Sequence, residues 1–165
     1  MAENEKTKPL QVLIAEDDPD DQFIFETALR EIDPKATVHF FYTSHALVDH
    51  LVKAGIQNDA LTAPDLIIGD MKPPFFELKD IAEIRTFKQF ESIPVYVFTE
   101  WFTDITRTNA LTLGANGFYH KPNSLHTLKN MLSEIILKKR APEQNEPLEI
   151  KQDENITCAD QTNEE

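Results

Sequence analysis

Cysteine is almost missing from this chain. Cys158 stands alone, so no intramolecular disulfide can form, and a reducing compartment, the cytoplasm, is the expectation. Positive charge is scarce too. Lys and Arg number 16 against 29 Asp and Glu, a formal net charge of −13. That balance argues against non-specific binding to nucleic acid or anionic lipid, which needs basic patches. No apolar run approaches the ~20 residues that a membrane helix needs. Met1 to Pro9 is polar and does not resemble a signal peptide.

What remains is enough for one domain. The chain has 165 residues, 41% hydrophobic and 27% charged, an ordinary balance for a folded unit with a sizeable core. Residues 1–8 read as a flexible start and 9–140 as the folded domain. From Ala141 onward Pro, Gln, Asn and Glu dominate without periodicity. Residues 141–165 therefore read as an acidic disordered tail, removable without loss of folding.

Within the domain, apolar runs alternate with amphipathic segments. Gln11–Ala15 is short and continuously apolar, as a buried parallel strand is. Asp18-Pro19 then supplies an N-cap and a first helical residue, and Phe25, Ala28, Leu29 and Ile32 make one apolar helical face. Thr37–Tyr42 is rich in β-branched and aromatic residues, a second strand. Ser44 is placed to cap a helix through Lys53, with Gly55 at its end. A third strand runs into Asp70, a fourth spans Ile93–Phe98, and a fifth spans Gly117–His120. Leu78, Ile81 and Ile84 mark a helix, Thr103–Leu113 a more polar one, and Leu128 to Ile136 the last, capped by Asn123 or Ser124. Five β–α units in succession predict an α/β fold, a parallel sheet with helices on both faces.

The chemistry gathers at strand ends, where open α/β sheets bind ligands. Leu66-Ile67-Ile68-Gly69-Asp70 ends in a carboxylate, and Pro73-Pro74 bars regular structure beyond it. Glu16 and Asp17 follow the first strand, Thr99 the fourth and Lys121 the fifth. Three converging carboxylates repel one another, and a divalent cation is the usual remedy. All-oxygen donors beside a phosphoryl group favour Mg²⁺. The set fits phosphoryl transfer: Asp70 the nucleophile, Lys121 a cationic partner for phosphate, and Thr99 a hydroxyl donor. Each residue alone has a plainer role, and Asp18, Asp20 and Asp21 read as a cap and first-turn acids. The five histidines lack metal-ligand spacing and read as structural or surface residues.

These stretches resemble the receiver domain of two-component response regulators. The resemblance lies in Val12-Leu13-Ile14-Ala15-Glu16-Asp17-Asp18, Asp65–Asp70, Ile93–Thr99 and Gly114–Pro122, and covers about Pro9 to Lys139. It implies a flavodoxin-like, doubly wound five-stranded sheet of order 2-1-3-4-5, and phosphorylation of Asp70 by a histidine kinase or phosphotransfer protein. It further implies metal binding by Glu16, Asp17 and Asp70 with the backbone carbonyl of Lys72, a switch pair of Thr99 and Phe118, and a phosphate-binding Lys121. The chain departs from the pattern in two places. Glu100 stands where a small residue usually follows the hydroxyl, and Met71 to Glu77 lacks the usual glycine and carries Phe75 and Phe76. Lys72 either adds positive charge beside the phosphate or points to solvent. Trp101 and Phe102 form either a docking surface beside the switch or a cover for the sheet's edge.

Two functions follow. One is a single-domain signalling protein that catalyses its own phosphorylation on Asp70 without being a turnover enzyme, with an unidentified downstream protein and a homodimer left open. The other is an interaction module of the same fold that works without phosphorylation. A phosphatase is disfavoured, because Lys72 and not a second Asp stands two residues past Asp70.

Overall fold

A computed structural model of the chain describes residues 8–57 and 63–140. The expected tail, 141–165, lies outside the described residues, as do 1–7. Five strands and five α-helices alternate: β1 Gln11–Ala15, α1 Pro19–Ile32, β2 Thr37–Phe41, α2 Ser44–Gln57, β3 Leu66–Asp70, α3 Leu78–Thr86, β4 Val95–Thr99, α4 Asp104–Thr112, β5 Gly117–His120 and α5 Leu125–Arg140. All pairings are parallel and the strand order is β2-β1-β3-β4-β5. The doubly wound sheet expected from the sequence is the one observed.

Alternation along the strands builds two cores. Val12, Ile14, Leu66, Ile68, Tyr96, Phe98 and Tyr119 face α1 and α5, where Phe25, Leu29, Leu132 and Ile136 meet them. Leu13, Ile67, Val95, Val97 and Phe118 face α2, α3 and α4, against Leu47, Ile81, Ile84 and Ala110. Both faces of β3 are covered, so its five residues are all buried, Asp70 included.

Several boundaries differ from expectation by one to four residues, and one cap is decided between two candidates. α2 is capped by Thr43, whose Oγ1 accepts the Ala46 N–H at 3.2 Å, while Ser44 is already helical and buried. The helix runs past Gly55 to Gln57. β4 starts at Val95, because Pro94 has no N–H and the Ile93 N–H is spent on the Phe90 carbonyl at 3.1 Å. α5 takes Ser124 as its cap, whose Oγ accepts from Thr127 N at 3.1 Å. Gly114, at φ +104°, ends α4 in the left-handed region, as a helix-terminating glycine does.

At the amino ends of β4 and β5 one side chain ties the elements together. Arg85, near the end of α3, donates to the carbonyls of Gly114 (2.9 Å), Ile93 (2.8 Å), Phe90 (3.2 Å) and Glu91 (3.4 Å), and to Asn116 Oδ1 (2.9 Å). The same Asn116 oxygen accepts the Val95 N–H at 2.9 Å.

Candidate functional site

The register places the chemistry at the opposite end. Asp70 is the last residue of β3 and Thr99 the last of β4, while Glu16 and Lys121 directly follow β1 and β5. With β1 and β4 both flanking β3, Glu16, Asp70 and Lys121 meet above the sheet's centre, and Thr99 ends the neighbouring strand. Carboxylate oxygens of Glu16, Asp17 and Asp70 lie within 4.8 Å of one another, a donor set that fits a hard divalent cation.

Lys121 binds the cluster together. Its Nζ lies 2.8 Å from Glu16 Oε2, 3.1 Å from Asp70 Oδ2 and 2.5 Å from Asp21 Oδ2. Burial opposes its charge, but the hydrogen bonds to Asp21 and Glu16 outweigh that and hold its pKa above the ordinary lysine value. Glu16 is buried. Its Oε1 accepts the Asp18 N–H at 3.0 Å, and burial pushes its carboxyl up to about 7 despite Lys121. Burial raises the Asp70 carboxyl as well, opposed by Lys121 and assisted by the charges of Asp21 and Asp17. Burial thus makes ionisation of both carboxyls costly, and Lys121 offsets that only in part.

Asp21 is the residue that sequence reasoning missed. The sequence reads Asp18, Asp20 and Asp21 as a cap and first-turn acids, and Asp18 does cap α1, through Asp20 N at 2.8 Å. Asp21 instead turns to Lys121. The signal was present: Asp21 lies four residues before Phe25 and seven before Ala28, on the helix face that both use to enter the core.

Thr99 is buried between two backbone groups. Its Oγ1 donates to the Met71 carbonyl at 3.1 Å and accepts the Trp101 N–H at 3.0 Å. Phe118 is buried too, its ring 5.5 Å from that of Phe102. Phe102 therefore packs inward, whereas Trp101 is 62% exposed. Glu100 is exposed and, among the described residues, forms no ion pair; it lines the rim of a cavity of about 430 Å³ shared with Asp21, Ile24, Lys121 and Leu125.

The glycine-poor loop after Asp70 is built on a contact with the strand itself. Phe76 is fully buried with its ring over Gly69, where a Cβ would lie 2.5 Å from the ring. Gly69 makes room below the loop for a side chain descending from it. The Pro73-Pro74 bond is cis, and the Lys72 carbonyl accepts the N–H groups of Phe75 (2.8 Å) and Phe76 (3.3 Å). That carbonyl, implied by resemblance as a metal ligand, is directed into the turn. The Lys72 side chain reaches the acids: Nζ lies 3.1 Å from Asp17 Oδ2 and 3.3 Å from Oδ1. Lys72 thus pairs with Asp17 rather than Asp70, its side chain still 41% exposed.

The response regulator receiver domain model matches residues 12–133. The chain belongs to that family. It is 28% identical over 141 residues to hybrid signal transduction histidine kinase D of Dictyostelium discoideum, covering 84% of this chain but only 8% of that protein. Among solved structures, the phosphorylated cyanobacterial phytochrome response regulator RcpA aligns with a TM-score of 0.70 at 20% identity, over 82% of this chain and 97% of that one. A response regulator in red light signalling of R. palustris gives 0.68 at 18% identity, over 78% and 92%. The Mn²⁺-bound form of response regulator Rcp1 gives 0.65 at 21%, over 85% and 99%. As a receiver domain of the two-component type, the chain shares with these structures the sheet order and helix arrangement described above. No described helix is long and apolar enough to cross a membrane.

Proposed function

We propose that this receiver domain accepts a phosphoryl group on Asp70 from a histidine kinase or histidine phosphotransfer protein and signals through the resulting change at Thr99 and Phe118. The single observation that carries the reading is the convergence of three carboxylates, one ammonium and one hydroxyl on the carboxyl ends of adjacent strands. An interaction module without chemistry has no need of so costly a concentration of like charge.

Asp70 attacks the phosphorus of a phosphohistidine. A carboxyl O–P bond forms as the P–N bond breaks, and the departing imidazole takes up a proton. Lys121 already touches Asp70 Oδ2, and shifting from Asp21 lets it bind the phosphoryl oxygens. Thr99 exchanges its bond to the Met71 carbonyl for one to the phosphoryl group, which moves the end of β4 and, behind it, Phe118 against Phe102. Glu16, Asp17 and Asp70 are the residues that would hold Mg²⁺, which when bound supplies neutralising charge and orients the transferring oxygens. Ile24 and Leu125, both exposed, line the cavity and offer an apolar landing for the donor protein.

The reading treats the chain as a cytoplasmic receiver that is phosphorylated but does not turn over a substrate. Its test is incubation of the full chain with acetyl phosphate and Mg²⁺, read by intact mass. One phosphoryl group is expected on the wild type and none on Asp70→Asn. Labelling of Asp70→Asn at the wild-type level would overturn the assignment.

A further inference from the structure

The cluster holds a second cation besides Lys121, and this one comes from the loop in which the chain departs from its family's sequence pattern. Lys72 Nζ straddles both oxygens of Asp17, at 3.1 and 3.3 Å. The pair sits at the edge of the cluster: the Asp17 side chain is 17% exposed, while that of Lys72, 41% exposed, reaches it from the solvent side. Lys121 is committed to Glu16, Asp21 and Asp70, so Lys72 is the one cation paired with Asp17 among the described residues.

We propose that the Lys72 ammonium is a tethered occupant of the cation position, which a divalent ion must displace from Asp17, so that Lys72 sets how much free metal the site requires. The inference rests on Glu16, Asp17 and Asp70 being the metal's donors.

Geometry makes the two cations exclusive. A metal ion bound within the triangle of Glu16, Asp17 and Asp70 uses an Asp17 oxygen that now faces Nζ, and it would stand a few ångströms from a second positive charge. Like charges that close repel. The loop keeps the ammonium in place from behind: the Lys72 carbonyl is fixed by Phe75 and Phe76 N–H groups, and Phe76 is locked over Gly69. The backbone therefore stays while the side chain swings. The Phe75 ring lies 5.9 Å from Nζ while the ammonium is paired with Asp17, an aromatic face that it already has within reach. A lysine ammonium is a cation throughout the neutral range, so the occupant carries its charge wherever the metal competes.

The test is calorimetric titration of the full chain with Mg²⁺ and with Mn²⁺. Four proteins are compared: wild type, Lys72→Gln, Lys72→Arg and Lys79→Gln. Lys79 pairs with Glu77 at 3.1 Å, away from the triangle, and its substitution controls for the general loss of one positive charge. Lys72→Gln is expected to bind both metals about three- to ten-fold more tightly, the scale of one partly exposed ion pair together with relief of like-charge repulsion. Lys72→Arg, which keeps a cation on Asp17, should stay at or below wild-type affinity, and Lys79→Gln should match the wild type. Equal affinity in Lys72→Gln and wild type, or an equal gain in Lys79→Gln, would overturn the displacement while leaving the metal site standing. Absence of binding heat in all four proteins would overturn both.

Discussion

At the amino ends of the strands a single guanidinium, Arg85, meets five neutral oxygens; at the carboxyl ends two ammoniums, Lys72 and Lys121, meet four carboxylates. The first arrangement is closed. Every N–H of Arg85 that points inward finds a carbonyl or amide oxygen, and Asn116 passes the contact on to β4. The second is open. Its acids outnumber its cations, burial raises the Glu16 and Asp70 carboxyls, and each ammonium is shared or displaceable. Structural polar networks are completed from within the chain, whereas a network meant for a ligand is left short of the charge that the ligand brings.

Breaking the closed end should have the largest effect on folding. Arg85→Ala removes four carbonyl contacts and strands their acceptors near the start of β4. A loss of about 2–3 kcal/mol is expected from denaturant unfolding. Phosphorylation of Asp70 per folded molecule should be unchanged, since the two ends share no side chain. A loss below 0.5 kcal/mol, on the order of an ordinary surface substitution, would show that the web adds little.

The open end should show itself more modestly, through pH. With metal removed, Glu16 has a folded pKa of about 7 against an ordinary 4.5, so the native state binds more protons than the unfolded chain between those values. Stability must then fall as pH rises through that window, and lies highest below about 4.5 as far as this group is concerned. Glu16→Gln should flatten the slope. An unchanged slope in Glu16→Gln, measured by thermal melts from pH 4.5 to 7.5, would place the proton uptake elsewhere.

How much of this was legible in the sequence depended on how local the cause was. Strand residues, their order in the chain, and the positions of Glu16, Asp17, Asp70, Thr99 and Lys121 could be read because each follows a short apolar run, and parallel β–α succession then brings run ends together. Asp21 was hidden by treating a first-turn acid as a dipole partner, although the Phe25 stripe, extended back one turn, already pointed it inward. The Thr43 cap was obscured by a neighbouring serine of the same chemistry. The direction of Lys72 was not legible at all. It depends on Phe76 filling the space over Gly69, a contact between strand and loop that no periodicity encodes. Trp101 and Phe102, adjacent in sequence, separate into an exposed ring and a packed one for the same tertiary reason.

That the carboxyl end is held short of positive charge until a cation arrives can be read from thermal melts of wild type and Asp70→Asn at pH 8, each with chelator and with saturating Mg²⁺. Removing the Asp70 charge should raise the melting temperature in chelator, because burial disfavours that carboxylate in the native state. Mg²⁺ should stabilise the wild type strongly, by about 2.7 kcal/mol at a hundred times its dissociation constant, and Asp70→Asn much less. An Asp70→Asn protein that is less stable than wild type in chelator, yet gains as much from Mg²⁺, would contradict the claim.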